Sequence, residues 1–213
     1  MTDSSNAGYG IVRVAADGSA APESVYFGPV TVREVVPTPD GRSLVYRIDS
    51  PNTERDIWLL PLDSGAGAPR PVLTSVFDER TPRLSPDGRW LAYASNESGA
   101  SGHEIFVRAF PGPGPRIQIS QGGGLEPLWS ADGRRIYYRD GQRMRVATLR
   151  ASPSFEVIAR DSLFDDDFAS DGVHADYDVA RDGSFVLLDP VGNAGVVVVV
   201  NWAAELDERV RAP

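Results

Sequence analysis

The side chains that could do chemistry in this chain are few in kind. Its 213 residues include no cysteine, all 21 basic residues are arginine, and the two histidines are His103 and His174. The absence of lysine excludes Schiff-base chemistry and a phosphate-loop lysine. The absence of cysteine excludes a thiol nucleophile, a disulfide and a thiolate metal site. Carboxylates therefore become the main candidates for a functional site.

Several of these carboxylates recur in register with four Asp-Gly pairs. The pairs start at Asp40, Asp87, Asp132 and Asp182, and the residues six positions before them are Glu34, Thr81, Glu126 and Asp176. Glu79 and His174 lie within two residues of this position. If the repeats are arranged in a ring, equivalent positions of the repeats line one central channel. Carboxylates at these positions would focus negative potential in that channel and favour binding of a cation, an amine or a basic peptide. The sequence thus predicts a ligand site formed by Glu34, Glu79, Glu126, His174 and Asp176.

The same carboxylates also have a structural interpretation. Arg33, Arg80 and Arg83 stand close to them in the sequence. Each carboxylate could pair with one of these arginines between neighbouring repeats, or face water. The sequence leaves the ligand site and the ion pairs as open alternatives.

Other groupings favour neither catalysis nor metal binding. The acidic stretch 161–171 has Ala169 where a calcium loop needs an oxygen ligand, and no glutamate closes it, so we predict a solvated loop. Ser101 precedes His103 closely, but no Gly-x-Ser-x-Gly elbow accompanies them. We therefore predict no catalytic residue, no metal, no cofactor and no enzymatic role.

The elements that must position these residues are short strands. Each Asp-Gly pair lies between two extended segments, where Asp can bond the turn backbone and Gly can adopt a positive φ. The pairs are 47, 45 and 50 residues apart, a period typical of stacked supersecondary units. Apolar runs after each turn predict strands that are buried on both faces.

Four short strands per repeat predict a β-propeller, in which each blade is a four-stranded antiparallel sheet. We expect one all-β domain over 1–213. Its parts are N-terminal strands in 9–28, repeats at about 30–76, 77–121, 122–171 and 172–200, and a helix at 202–210. Trp58, Trp90 and Trp129 are expected to pack between blades.

The number of repeats leaves closure open. With four to five blades, the chain forms either a small closed ring, completed by an N-terminal strand, or an arc of a six-bladed type of ring. An arc exposes two blade faces and would be expected to dimerise.

Four segments resemble known propeller repeats. They are SPDGRWLAYASNESG from Ser85, FPGPG from Phe110, GGGLEPLWSADGRRIYYRDG from Gly122 and VVVNWAAEL from Val198. They resemble TolB-type propellers, and most closely the propeller that follows the membrane span of bacterial membrane-anchored serine/threonine kinases. The similarity extends over about 30–210 and is strongest at 80–150. The chain has too few repeats for six blades and contains neither a kinase domain nor a membrane span.

This resemblance implies a noncatalytic sensing or protein-binding role and a periplasmic or extracytoplasmic location. We predict a recognition scaffold for a peptide, a protein or a small cationic ligand. The alternative is the propeller of a serine peptidase or other hydrolase whose catalytic domain lies outside this chain. The net charge of −9 disfavours binding to nucleic acid and to anionic membranes, and no segment is predicted to insert into a membrane or to act as a signal peptide.

Overall fold

The structure is a computed structural model that describes residues 9–188, apart from 29, 64–66, 100–101, 152–153, 173 and 181–182. Within these residues it contains antiparallel sheets joined in chain order, as the sequence predicted. The predicted helix at 202–210 and the end of the predicted repeat at 172–200 lie outside the described residues.

Three sheets have four strands each. Blade 1 consists of β3 (Thr31–Pro37), β4 (Ser43–Ser50), β5 (Glu54–Pro61) and β6 (Arg70–Leu73). Blade 2 consists of β7 (Glu79–Leu84), β8 (Trp90–Ser95), β9 (Glu104–Ala109) and β10 (Ile117–Gln118). Blade 3 consists of β11 (Leu125–Trp129), β12 (Arg135–Arg139), β13 (Arg143–Arg150) and β14 (Glu156–Asp165).

A two-stranded hairpin stands at each end of this series. The first hairpin pairs β1 (Tyr9–Arg13) with β2 (Glu23–Gly28). The last hairpin pairs β15 (Tyr177–Val179) with β16 (Phe185–Leu187). In the described part of the chain, neither hairpin pairs with any other sheet, so the blades form an open arc.

The Asp-Gly turns join the first and second strands of each blade. In blade 3, Ser130 Oγ and the Arg134 N–H both donate to Asp132 Oδ1, at 2.6 and 3.0 Å. Gly133 adopts a φ of 68°, which a side chain would strain. The same hydrogen bonds occur at Asp40 and Asp87, so three predicted turns are confirmed.

The core is divided among the interfaces between successive sheets. Leu91, Tyr93 and Phe106 of blade 2 pack on buried residues of blade 1, while Ile105 and other residues on its opposite face pack on blade 3. Further clusters join the first hairpin to blade 1 and blade 3 to the last hairpin. Each blade therefore buries both faces, as predicted from the apolar runs.

Candidate functional site

The first strand of each blade bulges at the residue six positions before the turn aspartate. Glu34, Thr81 and Glu126 occupy this position and have positive φ angles of 37°, 50° and 55°. Each strand shifts register against its neighbour at this point. Such a bulge redirects a side chain. The strand β7 lies beside both β3 and β11, so the bulges of adjacent blades lie close together.

Glu34 joins blade 1 to blade 2. Its carboxylate lies 3.0 Å from Arg47 Nε and accepts a hydrogen bond of 3.0 Å from the Thr81 N–H. Arg83 is more distant, at 4.0 Å. Arg47 is 1% exposed and the Glu34 side chain 5%, so the pair is removed from water. Glu34 thus forms an ion pair within its blade and a hydrogen bond to the equivalent residue of the next blade.

Glu126 repeats this arrangement between blade 3 and the last hairpin. Its carboxylate lies 3.5 Å from Arg139 Nε and accepts a hydrogen bond of 3.1 Å from the Asp176 N–H. Ser170 also donates to it, and the Tyr177 hydroxyl donates to its main-chain carbonyl at 2.8 Å. The buried Glu126 thus joins two sheets at the same repeat position as Glu34.

Blade 2 lacks this pair. Thr81 stands where the glutamate would be, and Ala94 stands where Arg47 and Arg139 stand in their blades. The Thr81 hydroxyl is buried and meets no hydrogen-bond partner among the described residues. Glutamate and arginine therefore occur together in blades 1 and 3 and are both replaced in blade 2.

Burial raises the pKa of both glutamates. Desolvation raises the pKa of Glu34, and Arg47 and Arg83 oppose this shift only in part. Desolvation also raises the pKa of Glu126 against the hydrogen bonds from Ser170 and Asp176 and the charge of Arg139. Neither carboxylate is a free, solvated anion at a channel mouth.

Asp78 forms a second ionic cluster between blades 1 and 2. Its Oδ2 accepts from Arg55 at 2.7 Å and from His103 Nε2 at 3.0 Å, and it also contacts Arg80. Burial acts to raise the pKa of Asp78, but hydrogen bonds from His103, Arg80 and Arg55 outweigh it and hold the pKa well below its usual range. His103 is thus a partner of a buried carboxylate.

Glu79 lies apart from Glu34 and Glu126. It is 2% exposed, accepts a hydrogen bond from Ser75, and has one carboxylate oxygen without a partner among the described residues. Desolvation raises its pKa to about 7, and the nearby charges of Asp56 and Glu97 add to the shift. Glu79 is therefore a buried carboxyl that titrates near neutral pH.

His174 and Asp176 lie at the entrance to the last hairpin. His174 Nδ1 lies 2.7 Å from Asp171, and Asp176 accepts a hydrogen bond of 2.8 Å from the Asp171 N–H. The side chain of His174 is 48% exposed, and its charge acts to lower the pKa of Glu34. The structure thus brings Glu34 near His174, and Glu126 near Asp176, while Glu79 faces other residues. Their predicted role as ligand groups stays a prediction.

Two arginines near these glutamates bind main-chain carbonyls just before the last hairpin. Arg139 donates to the Ala169 carbonyl and Arg80 donates to the Gly172 carbonyl, both at 2.8 Å. Near the first strands of the blades, these arginines donate to main-chain carbonyls, and Glu34 and Glu126 accept from main-chain N–H groups.

One loop interpretation from the sequence needs correction. Residues 161–165 belong to β14 and pair with β13, so the predicted solvated loop begins later.

A buried carboxylate fixes the glycine-rich segment that leads into blade 3. Glu104 accepts hydrogen bonds from the Gly122 and Gly123 N–H groups at 2.9 and 3.0 Å.

Sequence reasoning missed Arg47 and Arg139, the partners of the in-register glutamates. It favoured Arg33, Arg80 and Arg83 because they are close in sequence. The sequence did contain a signal for these partners. Among the described blades, an arginine seven residues after the turn aspartate occurs only in the blades that also have a glutamate six residues before that aspartate.

Within the described residues, no group of three or more His, Cys, Asp or Glu side chains is arranged to hold a metal ion. In the same part of the chain, no helix has the length and apolar character needed to cross a bilayer.

Two curated relatives share about half of this chain. The uncharacterized peptidase YuxL of Bacillus subtilis is 30% identical over 114 residues, which are 50% of this chain and 17% of the relative. Tricorn protease homolog 1 of Streptomyces coelicolor is 35% identical over 101 residues, or 46% of this chain and 8% of the relative. The chain thus spans less than a fifth of either relative. No protein-family model matches the sequence.

The solved structures show the fold. TolB from Acinetobacter baumannii superimposes with a TM-score of 0.59 at 18% identity, covering 87% of this chain and 44% of TolB. The chain has a TolB-like β-propeller fold. The finer resemblance to kinase propellers is not shown by these relatives.

These relatives correct one expectation. The prediction of a protein with no enzymatic role is wrong, because both curated relatives carry peptidase names. The similarity instead connects this propeller with hydrolases, which was the alternative interpretation of the sequence.

Proposed function

We propose that this chain is the propeller region of a peptidase-type hydrolase, in which it helps to admit and orient peptide substrates for a catalytic domain outside these residues. The observation that carries the proposal is the similarity of about half the chain to two proteins named as peptidases. Because these relatives are much longer than the matched region, the activity belongs to the whole protein.

The bulged strands carry donors and acceptors for main-chain groups, the kind of group that an extended peptide presents. Arg80 and Arg139 donate to main-chain carbonyls of this chain, and Glu34 and Glu126 accept from its main-chain N–H groups. Both glutamates are buried and already paired with arginines, so they do not suit capture of a free cation. Arg80, with 13% of its side chain exposed, is the most accessible of the four and is the group to test against a substrate peptide.

The test uses the full-length protein encoded by the gene, with fluorogenic peptidyl-coumarin substrates of increasing length. We expect hydrolysis, and we expect Arg80→Gln to change KM for longer peptides more than for a single aminoacyl substrate. Arg13→Gln is the control, because Arg13 forms an exposed ion pair with Glu23 on the first hairpin. Absence of hydrolysis for every substrate, together with no labelling by a fluorophosphonate probe, would exclude a serine peptidase.

A ligand-sensing region of a signalling protein is the second candidate. It is favoured by the resemblance of residues 80–150 to the propellers of membrane-anchored kinases, which also carries the expectation of an extracytoplasmic location. The sequence adjoining this chain distinguishes the two: an α/β-hydrolase domain supports the peptidase, and a kinase domain with a membrane span supports the sensor.

A further inference from the structure

Grooves recur between adjacent sheets on the face that carries the Asp-Gly turns. One lies between blades 1 and 2, with a volume of 230 Å³, and one between blade 3 and the last hairpin, with a volume of 260 Å³. The groove between blades 2 and 3 is about twice as large, at 520 Å³. This volume lies within the range of small-ligand and peptide-anchor sites.

We call the largest one the Trp90 groove. Its walls are the turns of blades 2 and 3, including Pro86 and Gly133, and its apolar lining comes from Trp90 and Leu149. The Trp90 ring is fixed from behind by Phe155, whose ring centroid lies 4.5 Å away. The groove therefore has an ordered aromatic surface that exists without a ligand.

The Trp90 groove is less acidic than the chain as a whole. It is lined by three arginines, Arg89, Arg134 and Arg150, and by two aspartates, Asp87 and Asp132, and Glu156 beside Arg150 brings the local charges into balance in a chain of −9.

The arginines differ in their pairing. Arg89 pairs with Asp87, and Arg150 pairs with Glu156. Arg134 is exposed and forms no ion pair with any described residue. Its guanidinium is therefore available to a carboxylate.

The repeats provide an internal comparison. The residue three positions after the turn aspartate is Ser43 in blade 1, Trp90 in blade 2 and Arg135 in blade 3. The backbone turn is the same in all three, with the same hydrogen bonds to its aspartate. The aromatic surface is thus not required by the turn, and it occurs where the groove is largest.

We propose that the Trp90 groove binds an acidic peptide segment in which an Asp or Glu side chain lies next to an apolar one. The apolar side chain packs on Trp90 and Leu149, and the carboxylate pairs with the Arg134 guanidinium. A short acidic peptide fits better than a nucleic acid, because the net charge of −9 repels a long polyanion. This site is separate from the bulged strands and does not depend on the peptidase proposal.

The test measures binding of the peptide Ac-Ala-Leu-Asp-Phe-Glu-Ala-NH2 to the intact protein by fluorescence anisotropy and by ¹H–¹⁵N NMR. We expect saturable binding that weakens with salt, and a shift of the Trp90 indole resonance without a shift of the Trp58 indole resonance. The amide analogue, with Asn and Gln in place of Asp and Glu, should bind about tenfold more weakly, as expected for loss of a charge-assisted hydrogen bond.

Matched variants locate the site. Arg134→Glu should weaken binding at least about tenfold, whereas Arg42→Glu, at the equivalent exposed position of the blade 1 turn, should leave it unchanged. Trp90→Ser installs the blade 1 residue and should also weaken binding. Equal binding of the amide analogue, no effect of Arg134→Glu, or an equal loss with Arg42→Glu would each overturn the proposal. Tighter binding of single-stranded DNA than of the peptide would also overturn it.

Discussion

At the scale of single residues, the in-register carboxylates are explained by their arginine partners. A buried ion pair survives only when each charge has its counterpart and further hydrogen bonds. Glu34 and Glu126 meet both conditions through Arg47 and Arg139 and through main-chain donors of the next sheet. In blade 2, Thr81 and Ala94 replace both members, so no charge is buried alone.

Replacing Glu126 by threonine should lower the free energy of unfolding by about 2 kcal/mol, because Arg139 then loses one of its two buried carboxylate partners and keeps only Asp166, 3.3 Å from its Nε. Adding Arg139→Ala reproduces the blade 2 residues, so the double variant should lose less than the sum of the two single variants. Urea unfolding measures both. If the losses of the two single variants simply added up in the double variant, the pairing would be contradicted. Glu23→Ala is the control: it breaks the exposed pair with Arg13 and should lower the free energy of unfolding by less than about 1 kcal/mol.

Glu79 should make stability depend on pH. Its pKa is raised to about 7 in the folded state, above the ordinary glutamate pKa of 4.5, so between these values the folded state binds more protons than the unfolded chain. Its contribution is therefore present at low pH and is lost as the pH rises towards 7. Relative to the wild type, Glu79→Gln should gain up to about 3 kcal/mol between pH 4 and pH 8.

The measurement is the difference in urea midpoint between Glu79→Gln and wild type across this range. Parallel pH profiles for the two proteins would show that Glu79 is ionised in the folded state throughout. Glu156→Gln serves as a control, because the pKa of Glu156 is lowered by hydrogen bonds from Ser154 and Arg150 and its profile should not follow that of Glu79.

At the scale of elements, the sequence was most informative about turns and strands. Asp-Gly has a strong conformational preference and the apolar runs have a strong burial preference, so both could be located from residue type. The bulges at Glu34, Thr81 and Glu126 could not, because a positive φ in these residues has no residue-type signature and is imposed by strand pairing. The partners Arg47 and Arg139 were missed for another reason: they are distant in sequence from Glu34 and Glu126, and only their joint occurrence with these glutamates connects them.

The turn geometry predicts the cost of a side chain at Gly133. Its φ of 68° is unfavourable for alanine, although the added Cβ would meet only Pro86 Cδ at 3.6 Å, an ordinary contact. Gly133→Ala should therefore destabilise the protein by about 1 to 2 kcal/mol through backbone strain alone. Gly112→Ala, where the added Cβ meets nothing within 4 Å and φ is not positive, is the control and should be nearly neutral in thermal unfolding.

At the scale of the whole molecule, each blade is stabilised by its two neighbours. Four apolar clusters lie between successive sheets, and polar contacts such as Glu34 with Thr81 add links nearer the bulged strands. The sequence predicted this order of sheets but left closure open, because closure depends on where the two terminal hairpins lie. The described residues form an open arc, and dimerisation of that arc stays a prediction.

The central claim is that the repeats are arranged radially, and distances between the equivalent turns test it most directly. Because the chain contains no cysteine, spin labels can be placed in pairs at Arg42, Arg89 and Arg134, which are all exposed, and measured by double electron–electron resonance. We predict similar distances for 42–89 and 89–134. The 42–134 distance should be about 1.7 times as long for six-bladed curvature, or about 1.4 times for four-bladed curvature. A ratio of 2 would mean a linear stack of sheets and would contradict the propeller.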